Sequence, residues 1–570
     1  MKNNDVVQLL NEMAVLLEIQ GTDKFKPKAY SRAARSIASL GEDIEAIAAR
    51  GELTGIPGVG KSLADKIDAY LKTGSINQLE QLRKEIPVKV RELDAIPGVG
   101  PMTMKLLYEN LGITDLESLE KAVKEGQLKG LKGIGQKTVD QISEGIQLAR
   151  AGFGRTLLAN AFPIVEGIQA SLREIQGVRK ITIAGSFRRR KETIGDIDVL
   201  VVTDEAEQLM NAFVHLEGVA DVLAHGPTKS SVRLASGIQV DVRVLPADSY
   251  GAGLQYFTGS IDHNVHVRTI AQKRGLRLSE YGLYRGDEQV AGREEDAIYS
   301  AVGLDYIEPE LREDKGEIEA AQHHELPKLI ELKHIRGDLH THTDKSDGAN
   351  SIEEMLDAAA RKSYEYYCIS DHTKSLTIAR GMTEEQILAS ISEIDEFNSS
   401  GRWKMRVLKG AEVDILSNGN LDISDEVLQQ LDVVTASVHS KMKDTKEAIT
   451  DRVCAAIQNR HVDILGHPTG RLLLKRSEYE VDLERVFETA RASGVIMELN
   501  SHPERLDLND GNLRAAKRYG LKIAINTDAH RIGELDNMQF GVFQARRGWL
   551  EAKDVINTYP LKEMIKLLRK

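Results

Sequence analysis

Beyond residue 336 the chain repeats one pattern, a short apolar run that ends on a histidine or a carboxylate. It reads YYCISDH at 366–372, VLKGAE at 407–412, VVTASVH at 433–439, DILGH at 463–467 and IAINTDAH at 523–530. Runs this short suit strands, and helical stretches separate them, so the pattern predicts a parallel barrel or sheet. In such a barrel the carboxyl ends of the strands share one rim, and the polar residues there meet. The candidates are His340 and His342 in RGDLHTHTDKSDG, Asp347, His372, Glu412, His439, His467, and Asp528 with His530. Neutral imidazole and carboxylate together suit zinc, manganese or iron, and nine ligands suffice for a multinuclear centre. His461 and His334 read instead as hydrogen-bonded structural histidines.

A different chemistry is written upstream, in GSFRRRKETIGDIDVLVV at 185–202. Residues two apart on a strand share a face at a spacing of roughly 6–7 Å, so Asp196 and Asp198 converge. Carboxylate oxygens are the ligands of hard divalent cations. Gly185 and Ser186 follow an apolar strand and can cradle phosphate, with Arg188, Arg189, Arg190 and Lys191 close behind. Asp241 interrupts the alternation GIQVDVRVL, where a charge is costly unless it is paired or metal-bound. Three carboxylates and a phosphate cradle suit two-metal phosphoryl transfer. A pair of solvent-facing aspartates on an edge strand is the bland alternative.

Residues 1–150 read as helices, and they contain a repeat: TGIPGVGKSLADKI at 54–67, DAIPGVGPMTMKLL at 94–107 and a weaker LKGLKGIGQKTVDQI at 128–142. Such a turn brings backbone and a helix N-terminus up to a phosphate. Gly55, Gly58, Gly60, Lys61, Gly98 and Gly100 are the candidate DNA contacts. A joint whose glycines merely cap helices is the alternative. The net charge is −12, and residues 1–150 carry equal numbers of basic and acidic side chains. Any DNA contact is therefore local and geometric rather than a bulk basic surface. Most of the fifteen histidines lie after residue 330 and none before 215, which separates two chemistries in one chain. Two cysteines, no apolar run long enough to span a bilayer and no signal peptide point to the cytoplasm.

GSFRRRKETIGDIDVL, VDVRVLP and YFTGS together resemble the family X DNA polymerases, nucleotidyltransferase-fold enzymes of base-excision gap filling. The resemblance covers nearly all of residues 1–315. It implies that Asp196, Asp198 and Asp241 hold the two catalytic metals, Mg²⁺ or Mn²⁺, and that Asp241 assists loss of the primer 3′-hydroxyl proton. Gly185, Ser186, Arg189 and Gly195 match the triphosphate-binding positions. Tyr256, Phe257 and Gly259 match the segment that senses the sugar. Asn264 and Arg268 match positions that face the minor-groove edge of the nascent pair. Lys66 falls where the lyase members carry their Schiff-base lysine, and Tyr30 fits the same domain. A lysine that merely contacts phosphate or solvent is the other reading of Lys66.

Residues 336–570 resemble the PHP (polymerase and histidinol phosphatase) phosphoesterases, distorted seven-stranded β/α barrels with a trinuclear centre. All nine ligand positions are filled, which implies an active hydrolase holding Mn²⁺ and/or Zn²⁺. His502, in ELNSHPERLDL, stands where a small residue is expected. The fusion resembles the bacterial and archaeal family X polymerases whose PHP domain carries Mn²⁺-dependent 3′–5′ exonuclease activity.

The expected architecture is multidomain α/β. It comprises a helical lyase-like domain (1–80), a helical fingers-like domain (81–150), a nucleotidyltransferase palm (151–247), a thumb (248–315), a linker (316–335) and a (β/α)7 PHP barrel (336–570). The expected partners are gapped or nicked DNA and dNTPs, acting on a nucleoid-associated monomer with no membrane. A small-molecule phosphatase barrel and a non-catalytic DNA-end scaffold are the alternatives.

Overall fold

A computed structural model describes residues 2–21, 25–38, 40, 43–94, 96, 98–152 and 154–568. The chain divides into two compact units, residues 1–153 with 474–477, and residues 154–473 with 478–570.

The first unit is helical. Its helices include Asn3–Gln20, Lys26–Ala38, Lys61–Thr73, Asn77–Glu85, Pro101–Leu111, Leu116–Lys124 and Gln136–Gly152. Leu10, Met13, Leu16, Ile37, Ile67, Leu93, Met104, Leu107 and Leu119 are fully buried and form its core. All three repeats adopt one turn. Gly58, Gly98 and Gly133 take φ of +85°, +90° and +102°. The next residue in each (Val59, Val99, Ile134) is buried and donates its N–H back to Ile56, Ile96 or Leu131. A side chain at that φ would be strained, which is why glycine recurs there. The apolar residue anchors the turn, and a helix starts at once. Ala95 and Pro97 of the second copy lie outside the described residues.

The second unit begins with a five-stranded mixed sheet, in the order Val178–Ile183, Asp196–Thr203, Gln239–Val244, Lys229–Leu234, Val219–His225. Ile197, Val199, Val201, Val240 and Val242 face the helices Leu158–Arg173 and Ala206–Val214. The alternate residues face the other way, where Leu200 and Val202 pack on Tyr250 and Leu254 of the helix Tyr250–Thr258. Period-2 alternation therefore puts Asp196, Asp198 and Asp241 on the face away from the helical core. Residues 250–323 add the helices Ile261–Lys273, Glu295–Ala301 and Glu317–His323 and a three-stranded sheet. Ile318 and Ala321, inside the charged stretch 316–335, are fully buried in this core.

The remainder is a seven-stranded parallel sheet in sequence order: Gly337–Asp338, Tyr366–Ile369, Arg406–Asp414, Val433–Ser437, Ile464–Leu465, Ile496–Asn500, Ile523–Asn526. It closes just past the strand ends, where Asp528 donates its N–H to the His340 carbonyl at 3.0 Å and His342 donates to Ala529 at 2.8 Å. Leu339, Tyr366, Cys368, Leu408, Val433, Ile464, Ile496 and Ala524 fill the interior. Met564, from the helix Leu561–Leu567, is buried among them. Outside lie Ile352–Arg361, Glu384–Ser400, Lys446–Ile457, Leu483–Ser493, Asp510–Arg518 and Met538–Arg547.

Candidate active sites

In the palm, Asp198 stands directly opposite Asp241 across a parallel strand pair, and Asp196 opposite Gln239. Gln239 Nε2 donates to Asp241 Oδ1 at 3.0 Å. Gly185 opens the turn that follows the first strand, at φ +59°, and a Cβ there would overlap the Asp198 carboxylate. Glycine is required for this approach. Burial, then the neighbouring charges of Asp196 and Asp241, push the Asp198 carboxyl up to about 7. A buried carboxylate crowded by two others in this way is what a cation stabilises. Ser186 Oγ is buried without a hydrogen-bond partner, so a ligand oxygen has a donor waiting for it. The set fits divalent metal and phosphate.

The other nucleotide candidates surround this face. Arg189 Nη1 donates to the Thr258 carbonyl, beside Gly259 at φ +69°, and its Nε lies 3.1 Å from Glu313 Oε1. Tyr256 and Phe257 meet edge to face at 5.0 Å, and Arg243 lies 4.6 Å from the Phe257 ring. Asn264 donates to the Tyr256 carbonyl at 2.6 Å and accepts from Gln255, while Arg268 is half-buried on the same helix. Gly195 passes close to Arg155.

In the barrel all nine predicted ligands converge. Three groupings hold their ligand atoms within 4.8 Å: His342, Asp347, His372 and His530; His340, His342, Glu412 and Asp528; His372, Glu412 and His439. His467 Nε2 completes the set, 2.9 Å from Glu412 Oε1. His342 and His372 each serve two groupings and Glu412 joins two, so the geometry suits three neighbouring ions. Nδ1 of His342 is buried without a hydrogen bond, and Nε2 of His342, Nε2 of His340 and Oε2 of Glu412 are buried with no well-aligned partner, amid crowded contacts such as His342–Asp528 at 3.0 Å and His340–Glu412 at 3.3 Å. Buried polar atoms left this way call for an ion. Burial would raise Glu412, but His372, His340 and His439 hold it well below its ordinary value. Burial, with His530 and His372, pushes His342 down to about 3, which keeps it neutral and able to ligate.

A supporting ring of residues escaped the sequence reading. Glu498 is fully buried, lies 2.7 Å from His340 Nδ1 and accepts from the His467 N–H at 2.6 Å. That contact turns the other nitrogen of His340 toward Glu412. Asn500 donates to Asp528 at 2.9 Å, and Asp414 lies 3.4 Å from His439 Nδ1. The acid inside the apolar run IMELN was the available signal for Glu498. His502 is half-buried next to this ring, and its Nδ1 accepts from the Glu504 N–H. Arg505 Nε lies 3.5 Å from Asp528.

In the helical unit, Lys66 donates to Ser62 Oγ at 2.8 Å, at a pocket of about 780 Å³ that Lys61, Asp65, Asn77 and Gln78 also line. The Tyr30 hydroxyl reaches Gln78. Gly58 and Gly60 form the turn before this helix and Lys61 opens it. Gly55 ends the preceding turn Leu53–Gly55. Gly98 and Gly100 do the same before Pro101–Leu111. Gly133 and Gly135, absent from the sequence-derived candidates, occupy the equivalent positions before Gln136–Gly152.

Comparisons with known proteins follow this division. Models of a helix-hairpin-helix domain (residues 1–76), a SAM-like helix-hairpin-helix tandem (90–148), the DNA polymerase beta palm (161–231), the DNA polymerase beta thumb (253–313) and a PHP domain (338–502) match the chain. It is 38% identical over 574 residues to DNA polymerase/3′-5′ exonuclease PolX of Bacillus subtilis, covering 100% of both chains. It is 25% identical over 341 residues to DNA polymerase lambda of Rattus norvegicus, covering 55% of this chain and 56% of the relative. It is 33% identical over 204 residues to a probable phosphatase of Thermoanaerobacter, covering 34% of this chain and 78% of the relative.

Proposed function

The chain belongs to the PolX family of DNA polymerase/3′-5′ exonucleases, and on that premise we propose how its residues divide the work. The enzyme is a template-directed DNA polymerase of gap-filling repair and a 3′–5′ exonuclease. We assign the domains to 1–80, 81–150, 151–247, 248–315 and 336–570, with 316–335 between the thumb and the PHP barrel. One observation carries the two-site reading: the Asp198–Asp241 pair and the cluster around Glu412 are built on different sheets of different topology.

At the palm, Asp196, Asp198 and Asp241 hold Mg²⁺ or Mn²⁺, and Asp241 draws off the proton of the primer 3′-hydroxyl. Gly185, Ser186, Arg189 and Gly195 bind the triphosphate. Tyr256, Phe257 and Gly259 face the sugar, and Asn264 and Arg268 face the minor-groove edge of the new pair. At the barrel, the nine ligands hold three ions, Mn²⁺ and/or Zn²⁺. Bound divalent ions supply charge neutralisation and an activated attacking oxygen at both sites. The hairpin turns at Gly58–Lys61 and Gly98–Gly100 grip the phosphates of gapped or nicked DNA through backbone amides. Among the described residues no helix is long and apolar enough to cross a membrane. We place the enzyme in the cytoplasm with the nucleoid, as a monomer.

The barrel's substrate separates this reading from a phosphatase, because one relative bears that name. Metal-loaded enzyme is expected to shorten a 5′-labelled oligonucleotide into a ladder and to leave a chromogenic phosphomonoester intact. Monoester turnover with intact DNA would contradict it.

We also assign Lys66 as an abasic-site lyase nucleophile, supported by its pocket and by Tyr30 on the same rim through Gln78. Its amine condenses with the sugar aldehyde with loss of water, and β-elimination with loss of a C2′ proton then breaks the C3′–O bond and releases the downstream strand with its 5′-phosphate. Borohydride is expected to trap a covalent adduct on incised abasic DNA, and Lys66→Ala is expected to lose it. An equal adduct with Lys66→Ala would exclude the assignment.

A further inference from the structure

The turn that carries Arg189 is gripped from outside the palm, by the helix Met538–Arg547 and its neighbours in the barrel. Arg547 is 4% exposed, and its Nη1 donates to the Arg189 carbonyl at 2.8 Å and to Glu313 Oε1 at 3.1 Å. Its Nη2 donates to Asp510 at 2.7 Å. The Arg190 guanidinium lies 4.4 Å from the Phe543 ring and 5.3 Å from that of Phe187. Glu192 accepts from Arg471 and, at 2.6 Å, from Gln544. Leu506 and Phe540 of the barrel share the palm's apolar core.

Within this contact one carboxylate serves two domains. Glu313 Oε1 is 3.1 Å from Nε of Arg189 and 3.1 Å from Nη1 of Arg547, with Lys191 Nζ at 3.9 Å. Burial would raise the Glu313 carboxyl, but Arg547, Arg189 and Lys191 hold it below its ordinary value. It is therefore an anion already seated on the guanidinium that an incoming triphosphate needs. A carboxylate shared between two arginines holds each less firmly than it would hold one alone.

We propose that Glu313 is a built-in counter-charge that the dNTP triphosphate displaces from Arg189, and that Arg547 of the PHP barrel weakens this hold by drawing Glu313 to itself. The inference rests on the reading of Arg189 as a triphosphate ligand. Glu313 and Arg547 are positioning residues: they act through Arg189 and touch no reacting atom. The barrel thereby tunes nucleotide affinity at a site on another domain.

The two changes have opposite signs, which packing alone does not produce. Glu313→Gln is expected to lower the KM for dNTP on gapped DNA about fivefold, and Arg547→Gln to raise it about fivefold, with kcat little changed. The double variant is expected to follow Glu313→Gln, because the counter-charge is gone. Inhibition by inorganic pyrophosphate is expected to tighten or weaken in step, while 3′ trimming by both variants stays at the level of the parent. An unchanged or raised KM for Glu313→Gln overturns the inference, and this variant decides alone if Arg547→Gln loses both activities. Arg189→Ala separates the two layers. A raised KM there with an unchanged KM for Glu313→Gln sinks the inference alone; an unchanged KM there sinks the triphosphate reading and the inference with it.

Discussion

Asp198→Asn abolishes nucleotide addition, lowering kcat by about a thousandfold or more, and leaves the trimming of 3′ ends within about twofold. Asp198 is the middle member of the palm trio, opposite Asp241 and pressed against Gly185. Asparagine keeps the shape and removes the charge, so the strand and the Gly185 contact survive while the cation loses its central ligand. Stability provides an internal control with a definite sign. The Asp198 carboxyl is raised to about 7 in the folded chain by burial and by Asp196 and Asp241. Ionising it at pH 8 therefore costs folding free energy in metal-free protein, a cost absent at pH 4. Asparagine removes that cost, and the metal-free variant melts no lower than the parent at pH 8. Primer extension and thermal melting on one preparation check both halves. Loss of extension with a lowered melting temperature would indicate damage to the sheet instead of loss of a ligand.

His340→Ala combined with His342→Ala does the reverse. Trimming falls by about a thousandfold or more while extension is retained. His342 belongs to two of the three ligand groupings and His340 to one of those two, so only His372, Glu412 and His439 keep a complete set. Bound metal is expected to fall by about two ions per chain, measured by elemental analysis after dialysis. The same change strips the buried carboxylates of Glu412, Asp528 and Glu498 of neighbouring imidazoles. Unpaired buried carboxylates are costly, so the barrel is expected to melt earlier even though its outer packing is untouched. Full metal content with no trimming would point to a role for these histidines other than ligation.

The parts of both sites that were legible in the sequence are those that obey a local period. Asp196 and Asp198 sit two apart on a strand, and Asp241 breaks an apolar alternation, so their common face follows from the pleat. The proposed barrel ligands, Asp347 apart, lie at or just past the ends of short strands, and strand ends of a parallel barrel share a rim. Residues that act across long separations left no such mark. Glu498 reaches His340 across 158 positions, and Arg547 reaches Glu313 across 234. Neither contact has a periodic signature, because sheet order and helix docking create it. Charge also conceals structure. The stretch 316–335 reads as a charged, partly helical linker, and a helix does run from Glu317 to His323, yet Glu317 is fully buried, with His263 Nδ1 2.7 Å away. Its partner lies on another helix, so composition alone exposes the carboxylate and hides Ile318 and Ala321 beside it. The third hairpin was faint because LKGIGQ lacks the proline of the other copies, although its Gly133 makes the same turn.

Separate polymerase and nuclease sites in one chain are tested most directly with a 5′-labelled primer on a short-gapped duplex and Mn²⁺. The expected result is extension across the gap when dNTPs are present and progressive shortening when they are omitted, from the same preparation. Extension without shortening would contradict a nuclease centre at Glu412, and shortening without extension would contradict a polymerase centre at Asp198.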